Sequence, residues 1–239
     1  MMNTNPAIAS MIFNAHLDEE HWLAAAVADI AGALTNDLLS NQRARLLVSG
    51  GSTPGPVYRA LAEQPLDWAR IDVALVDERW LPPGDPDSNA QLIESNLLID
   101  RASAARFEPL LLLGRNLADS VFAANASAGP ASVLLLGMGA DGHTASLFPG
   151  MPELMSALAS SADYVAVDAR LCPGAGPWPQ RISLTPAGMA RARTRILLIR
   201  GEQKRKIVEH ALHDIAPDEL PVHVALTLPG APLLIHWCP

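Results

Sequence analysis

The chain has 239 residues, 49% of them hydrophobic, and a formal net charge of −8. An acidic body lacks the basic face that a non-specific nucleic-acid binder needs, although a few local arginines and backbone N–H groups suffice to hold one small phosphate. No secretory leader or apolar run of membrane length is visible, and the two cysteines, Cys172 and Cys238, have no metal-type or redox-type partner in sequence. These features predict a reduced cytoplasmic protein that engages neither nucleic acid nor membrane, with Cys238 structural. Glycine and proline are scattered as punctuation, without repeat or linker, so residues 1–239 read as one domain.

Residues 18–39 carry apolar side chains at Leu23, Val27, Ile30, Leu34 and Leu38, steps of three or four that make one helical stripe. The charged residues before them suit a first helical turn. Arg45 to Ser49 is a short apolar strand, and Gly50, Gly51, Ser52 and Thr53 form the turn leaving it. Pro54 then starts a helix whose buried face is Val57, Tyr58 and Leu61. The next strand, Ile71 to Val76, delivers Asp77, Glu78, Arg79 and Trp80 at its end, and Ser88 caps a helix running to Leu98. A run of apolar residues from Val133 without alternation is the pattern of a parallel strand covered on both faces. Further strands follow at 164–167, 181–185 and 195–199, and then a helix over 201–212 with Ile207, Val208, Ala211 and Leu212 inward. Alternating strands and helices predict an α/β fold with a largely parallel central sheet.

The strand from Val133 ends in Gly137, Gly139 and Gly142, which match GxGxxG, and Asp163 and Asp168 offer the distant acidic residue of a dinucleotide fingerprint. A dinucleotide loop opens a helix, however, and Pro149-Gly150 stops any helix within two turns. The same turn carries Asp141 and His143 at the carboxyl end of a parallel strand, where open α/β sheets bind ligands. Histidine is the side chain best suited to take a proton from water near neutral pH. Two other strand ends are polar. Gly50, Gly51, Ser52 and Thr53 present N–H groups and hydroxyls before a helix, a natural phosphate nest. Asp77 and Arg79 suit a sugar hydroxyl and a phosphate or developing oxyanion. Arg181 opens a strand, and Lys204 sits in a first helical turn, where a cation opposes the dipole and points to an anion nearby. His210 and His213, spaced i, i+3, lack a third metal ligand and read as helix surface. Ser52 is not in a G-x-S-x-G elbow, so no serine nucleophile is expected. His16, His21, His223 and His236 have no context in sequence.

Together these residues resemble the 6-phosphogluconolactonase family, within the sugar-phosphate enzymes that include glucosamine-6-phosphate deaminase. The strings that carry the resemblance are SGGSTP from Ser49, VDERW from Val76, PDSN from Pro86, LLGMGADGHTASLFPG from Leu135, RISLT from Arg181 and GEQK from Gly201, in the family's order and spanning roughly residues 20–237. The deaminases resemble this chain at DGH but carry glutamate where Phe148 stands and tyrosine where Arg79 stands, and both differences favour the lactonase. Ala90 departs from the lactonase pattern, where an aromatic often follows Ser-Asn.

The resemblance implies hydrolysis of 6-phosphoglucono-1,5-lactone to 6-phosphogluconate, the second step of the oxidative pentose phosphate pathway, with no metal and no organic cofactor. The fold it implies is a three-layer α/β/α arrangement around a largely parallel central sheet, Rossmann-like. The partner it implies is a small sugar-phosphate lactone; a monomer is compatible with the sequence, which does not fix the oligomeric state. Phosphate is expected on Gly50, Gly51, Ser52 and Thr53, with Arg181 and Lys204 closing on it. His143 is the expected base, oriented by Asp141, while Arg79 steadies the oxyanion and Asp77 holds a hydroxyl or Arg79 itself. The Pro- and Gly-rich stretch 170–180 is compatible with either a mobile flap or a rigid surface loop.

Overall fold

The computed structural model describes residues 10–82, 84–213 and 216–239. Its first elements are strand β1 (Met11–Ala15), helix α1 (Glu19–Ser40), strand β2 (Ala44–Val48), helix α2 (Gly55–Ala62), strand β3 (Ile71–Leu75) and strand β4 (Asp77–Arg79). Helix α3 (Asn89–Asn96), strand β5 (Arg106–Glu108), helix α4 (Leu117–Ser127) and strand β6 (Val133–Leu136) follow. The remainder is α5 (Leu154–Leu158), β7 (Tyr164–Asp168), β8 (Gln180–Leu184), α6 (Pro186–Ala190), β9 (Thr194–Arg200), α7 (Glu202–Ala211), α8 (Val222–Thr227) and β10 (Leu233–Cys238).

Seven strands form one sheet in the order β1-β10-β9-β6-β2-β3-β5, and every pair in it is parallel. β3 and β6 are buried along their whole length, which explains their unbroken apolar sequences. From β2 the chain moves outward through β3 to β5, then returns to place β6 on the other side of β2 and proceeds to β9 and β10. The strand order therefore reverses between β2 and β6, and a crevice opens at the carboxyl ends of strands at such a reversal.

Helices flank the sheet. Asp18 caps α1 by accepting from the His21 N–H, and the Val27, Ile30, Leu34 stripe is buried as the spacing predicts. By length and hydropathy α1 is also long and apolar enough to cross a bilayer, contrary to the sequence reading, but its apolar face packs on β2, β6 and β10. It packs on α2, which packs on α3, while α6, α7 and α8 form a second group. Trp22 donates from its indole N–H to the His236 carbonyl and fixes the helix to β10.

The strand pairing adds to the sequence reading, and one expectation needs correction. Strands β7 and β8 do not belong to the parallel sheet; with β4 they form a separate antiparallel sheet, β4-β8-β7. Apolar runs report burial, not strand direction, so this was beyond their reach. Val76 is the link: its N–H donates to Val48 of the large sheet, and its carbonyl accepts from Leu184 of the small one. Leu212, expected inward, is 41% exposed because α7 ends at Ala211 and the residue after it turns outward.

Candidate active site

The carboxyl ends of β2, β3, β6 and β9 meet at a cleft of about 260 Å³. Every residue expected in the site lines it except Asp141, which stands directly behind His143. No helix opens from the glycine turn after β6, since residues 137–150 are irregular, and this removes the dinucleotide reading.

The turn after β2 is built for close approach. Gly51 has φ +95°, a conformation glycine adopts without strain. A Cβ on Gly50 would collide with the Asn89 side chain, so only glycine lets α3 pack here. Helix α2 begins without a side-chain cap and so leaves first-turn N–H groups free for an anion. On the opposite wall α7 also lacks a side-chain cap, and Lys204 from its first turn lines the cleft. Burial pushes the Lys204 ammonium down from the ordinary lysine value, as expected of a cation whose counter-ion is a ligand.

The turn after β6 holds the histidine. Asp141 accepts from the His143 N–H at 3.2 Å, and its Oδ1 lies 2.5 Å from Nδ1 of the ring. Burial raises the Asp141 carboxyl, but the hydrogen bond and charge of His143 outweigh it, and the net shift is downward. With Nδ1 engaged, Nε2 has no hydrogen-bond partner among the described residues and His143 faces the cleft. The ring of Phe148, fully buried, lies 4.3 Å from the imidazole, centroid to centroid. The Arg181 guanidinium lies over the same phenyl ring at 5.0 Å.

The small sheet supplies the arginines. Antiparallel pairing sets Arg79 opposite Arg181 and Asp77 opposite Ser183. Arg181 donates from Nε to Trp178 O at 2.9 Å and from Nη2 to Ala175 O at 2.5 Å, which anchors it to the 170–180 stretch. Burial lowers its affinity for the proton, while Asp77 opposes that shift. Arg79 donates from Nη1 to the Asp87 carbonyl, and its buried Nε has no partner among the described residues. Asp77 does not hold Arg79: Oδ2 accepts from Ser146 at 2.6 Å and Oδ1 from Asn89 at 3.3 Å. It is a buried brace between three segments, which the sequence could not show because Ser146 lies 69 positions away.

Sequence reasoning missed four participants. Glu78 is fully buried and accepts N–H bonds from Arg79, Asn89 and Ala90, tying β4 to the start of α3. Burial raises its carboxyl, and those three N–H groups only partly offset the shift. Asn89 and Ser146 fix Asp77, and Gly174 lies against Asp141. Asn89 and Ser146 lie in strings noted in the sequence, and their neighbours gave the only signal. His210 and His213 are exposed, and no cluster of three metal-binding side chains occurs among the described residues. His16 and His236 do have a context: Nε2 of the first lies 3.0 Å from Nδ1 of the second, and His236 Nε2 lies 3.0 Å from Asp29.

The sequence pattern of glucosamine-6-phosphate isomerases/6-phosphogluconolactonase matches residues 17–231. The chain is 46% identical over 224 residues to a 6-phosphogluconolactonase of Xylella fastidiosa, covering 92% of this chain and 93% of that one. It is 39% identical over 218 residues to the 6-phosphogluconolactonase of Pseudomonas aeruginosa, covering 89% and 88%. The crystal structure of a 6-phosphogluconolactonase from Shewanella baltica superposes with a TM-score of 0.89 at 30% identity, covering 97% of this chain and 99% of that one. By sequence and by fold, the chain belongs to the glucosamine-6-phosphate isomerase/6-phosphogluconolactonase family.

Proposed function

We propose that this protein is a 6-phosphogluconolactonase, hydrolysing 6-phospho-D-glucono-1,5-lactone to 6-phosphogluconate in the oxidative pentose phosphate pathway of the cytoplasm. A single domain spanning residues 1–239 carries the activity, a reading supported by one continuous buried cluster from Trp22 to Cys238. The observation that carries the proposal is His143. Its Nδ1 is committed to Asp141, and it stands in a cleft between an uncapped helix start and the cations Arg79, Arg181 and Lys204.

The phosphate dianion takes N–H groups of Gly50, Gly51, Ser52 and Thr53, and Arg181 and Lys204 close on it with charge-assisted bonds. His143 Nε2 removes a proton from water as it attacks the lactone carbonyl, so that the C–O bond to water forms and the carbonyl oxygen becomes an oxyanion. Arg79, which lines the cleft, stabilises that charge. The intermediate collapses by breaking the ring C–O bond, and the imidazolium returns its proton to the departing ring oxygen. Asp141 holds the imidazole in the orientation and tautomer this requires. Asp77 keeps β4, α3 and the Ser146 turn in register. The residue packed against the imidazole, its ring tilted 36° to it, is the phenyl of Phe148, which has no proton to move. This supports a lactonase over an amino-sugar isomerase, whose ring opening needs a second acid or base.

The test is a coupled assay on freshly prepared lactone, with spontaneous opening subtracted and a chelator present. Acceleration that survives the chelator supports the proposal. Ammonia release from glucosamine 6-phosphate, with no effect on the lactone, would replace it with the isomerase reading.

A further inference from the structure

The stretch 170–180 passes behind the imidazole–carboxylate pair, and one of its residues is a glycine for a reason other than backbone freedom. Gly174 does not have the positive φ found at Gly176. Its backbone conformation admits any residue, yet a Cβ there would stand well inside 3.0 Å of Asp141 Oδ2. Gly139 has the same relation to the pair from the other side, since its Cβ would overlap the His143 ring and Asp141 Oδ1. The pair is thus packed between two stretches of bare backbone, one from its own turn and one from a segment more than thirty positions away.

That distant segment has little room to yield. Arg181 holds its Ala175 and Trp178 carbonyls, and the Trp178 indole N–H donates to Asp87 Oδ2 at 2.9 Å. Ala169 donates to Pro179 O and closes its base.

We infer that Gly174 is a positioning residue for the reaction: its bare backbone is the backstop that keeps Asp141 on His143. The inference rests on the base assignment above and deepens it. On this inference the 170–180 stretch acts as a fixed wall of the site.

The experiment is a double-mutant cycle on the full-length protein, Gly174→Ala and Asp141→Ala, read by kcat and KM. Gly174→Ala displaces the carboxylate, so kcat falls about 10–100-fold, part of the ~10²–10⁴-fold share of general-base catalysis. KM stays within about three-fold because the phosphate contacts are untouched. In the Asp141→Ala background the collision is gone, and Gly174→Ala has no further effect on kcat. Leu171→Ala, on the exposed part of the same stretch, leaves both readouts unchanged.

Normal kcat in Gly174→Ala beside a slow Asp141→Ala overturns the inference and leaves the base assignment standing. An equal loss from Gly174→Ala in both backgrounds overturns it as well. Normal kcat in Asp141→Ala overturns the base assignment and the inference together. Should Gly174→Ala alone fail to fold, the double variant, which lacks the collision, must fold and match Asp141→Ala; its failure to do so also counts against Gly174.

Discussion

His143 has one ring nitrogen committed to a carboxylate and the other without a protein partner, and this division of labour makes its removal informative. His143→Ala lowers kcat by about 10²–10⁴-fold while KM changes by no more than a few-fold; steady-state kinetics with the spontaneous rate subtracted measure both. Lys204 is predicted to do the reverse. Phosphate binding is common to ground and transition states, so Lys204→Ala chiefly raises KM. Because burial holds the Lys204 ammonium below the ordinary lysine range, KM climbs with pH before free lysine would titrate. The climb flattens in Lys204→Arg, whose guanidinium stays charged. For folding the sign is opposite: the unfolded chain binds that proton more tightly than the folded one. The cost of keeping a charged Lys204 in the cleft is therefore relieved as pH rises through its lowered value. These residue types were legible in sequence because each sits beside a glycine turn at a strand end. The role of Asp77 was not, since its partner Ser146 is reached only through the fold.

At the scale of elements, Glu78 is the joint between β4 and α3. Leaving a buried N–H unsatisfied costs about 1–3 kcal/mol, and Glu78 serves three of them. Glu78→Ala is therefore expected to lower Tm by several degrees and to reduce kcat through Arg79, while Glu78→Gln recovers part of both; thermal melts and kinetics on the same preparations test this. The carboxyl is raised by burial, so its contribution to stability is complete below its unfolded value and falls as pH rises through the folded one. Long apolar or periodic elements could be read directly: β2, β3, β6 and β9, and helices α1, α2 and α7. Elements such as β5, α5 and α6 are too short to show a period. β1 and β10 pair across almost the whole chain, a contact no local pattern encodes.

The whole molecule sets the background against which the site works. The chain carries a net charge of −8 yet gathers three cations about one cleft, so recognition of an anion is local and not a property of the overall field. Stability comes from elsewhere: Ile30 is fully buried beneath α1, away from the cleft. Ile30→Ala should cost about 2–5 kcal/mol with KM unaltered, and a denaturant melt beside a kinetic assay separates the two effects. The α/β class and the parallel sheet could be inferred from alternation alone, whereas the small antiparallel sheet could not. Its strands look in sequence like the others, and only pairing distinguishes them.

Val76 gives the cleft a mechanical character. Two sheets meet along a seam, with that one residue bonded to both, and the three cations of the cleft are divided between them: Lys204 follows β9 of one sheet, and Arg79 and Arg181 belong to the other. A phosphorylated ligand held by both sides is therefore a brace across the seam as well as a reactant. Amide exchange at Val76 and Leu184 should slow when 6-phosphogluconate saturates the protein, more than exchange in α1, which the brace does not span.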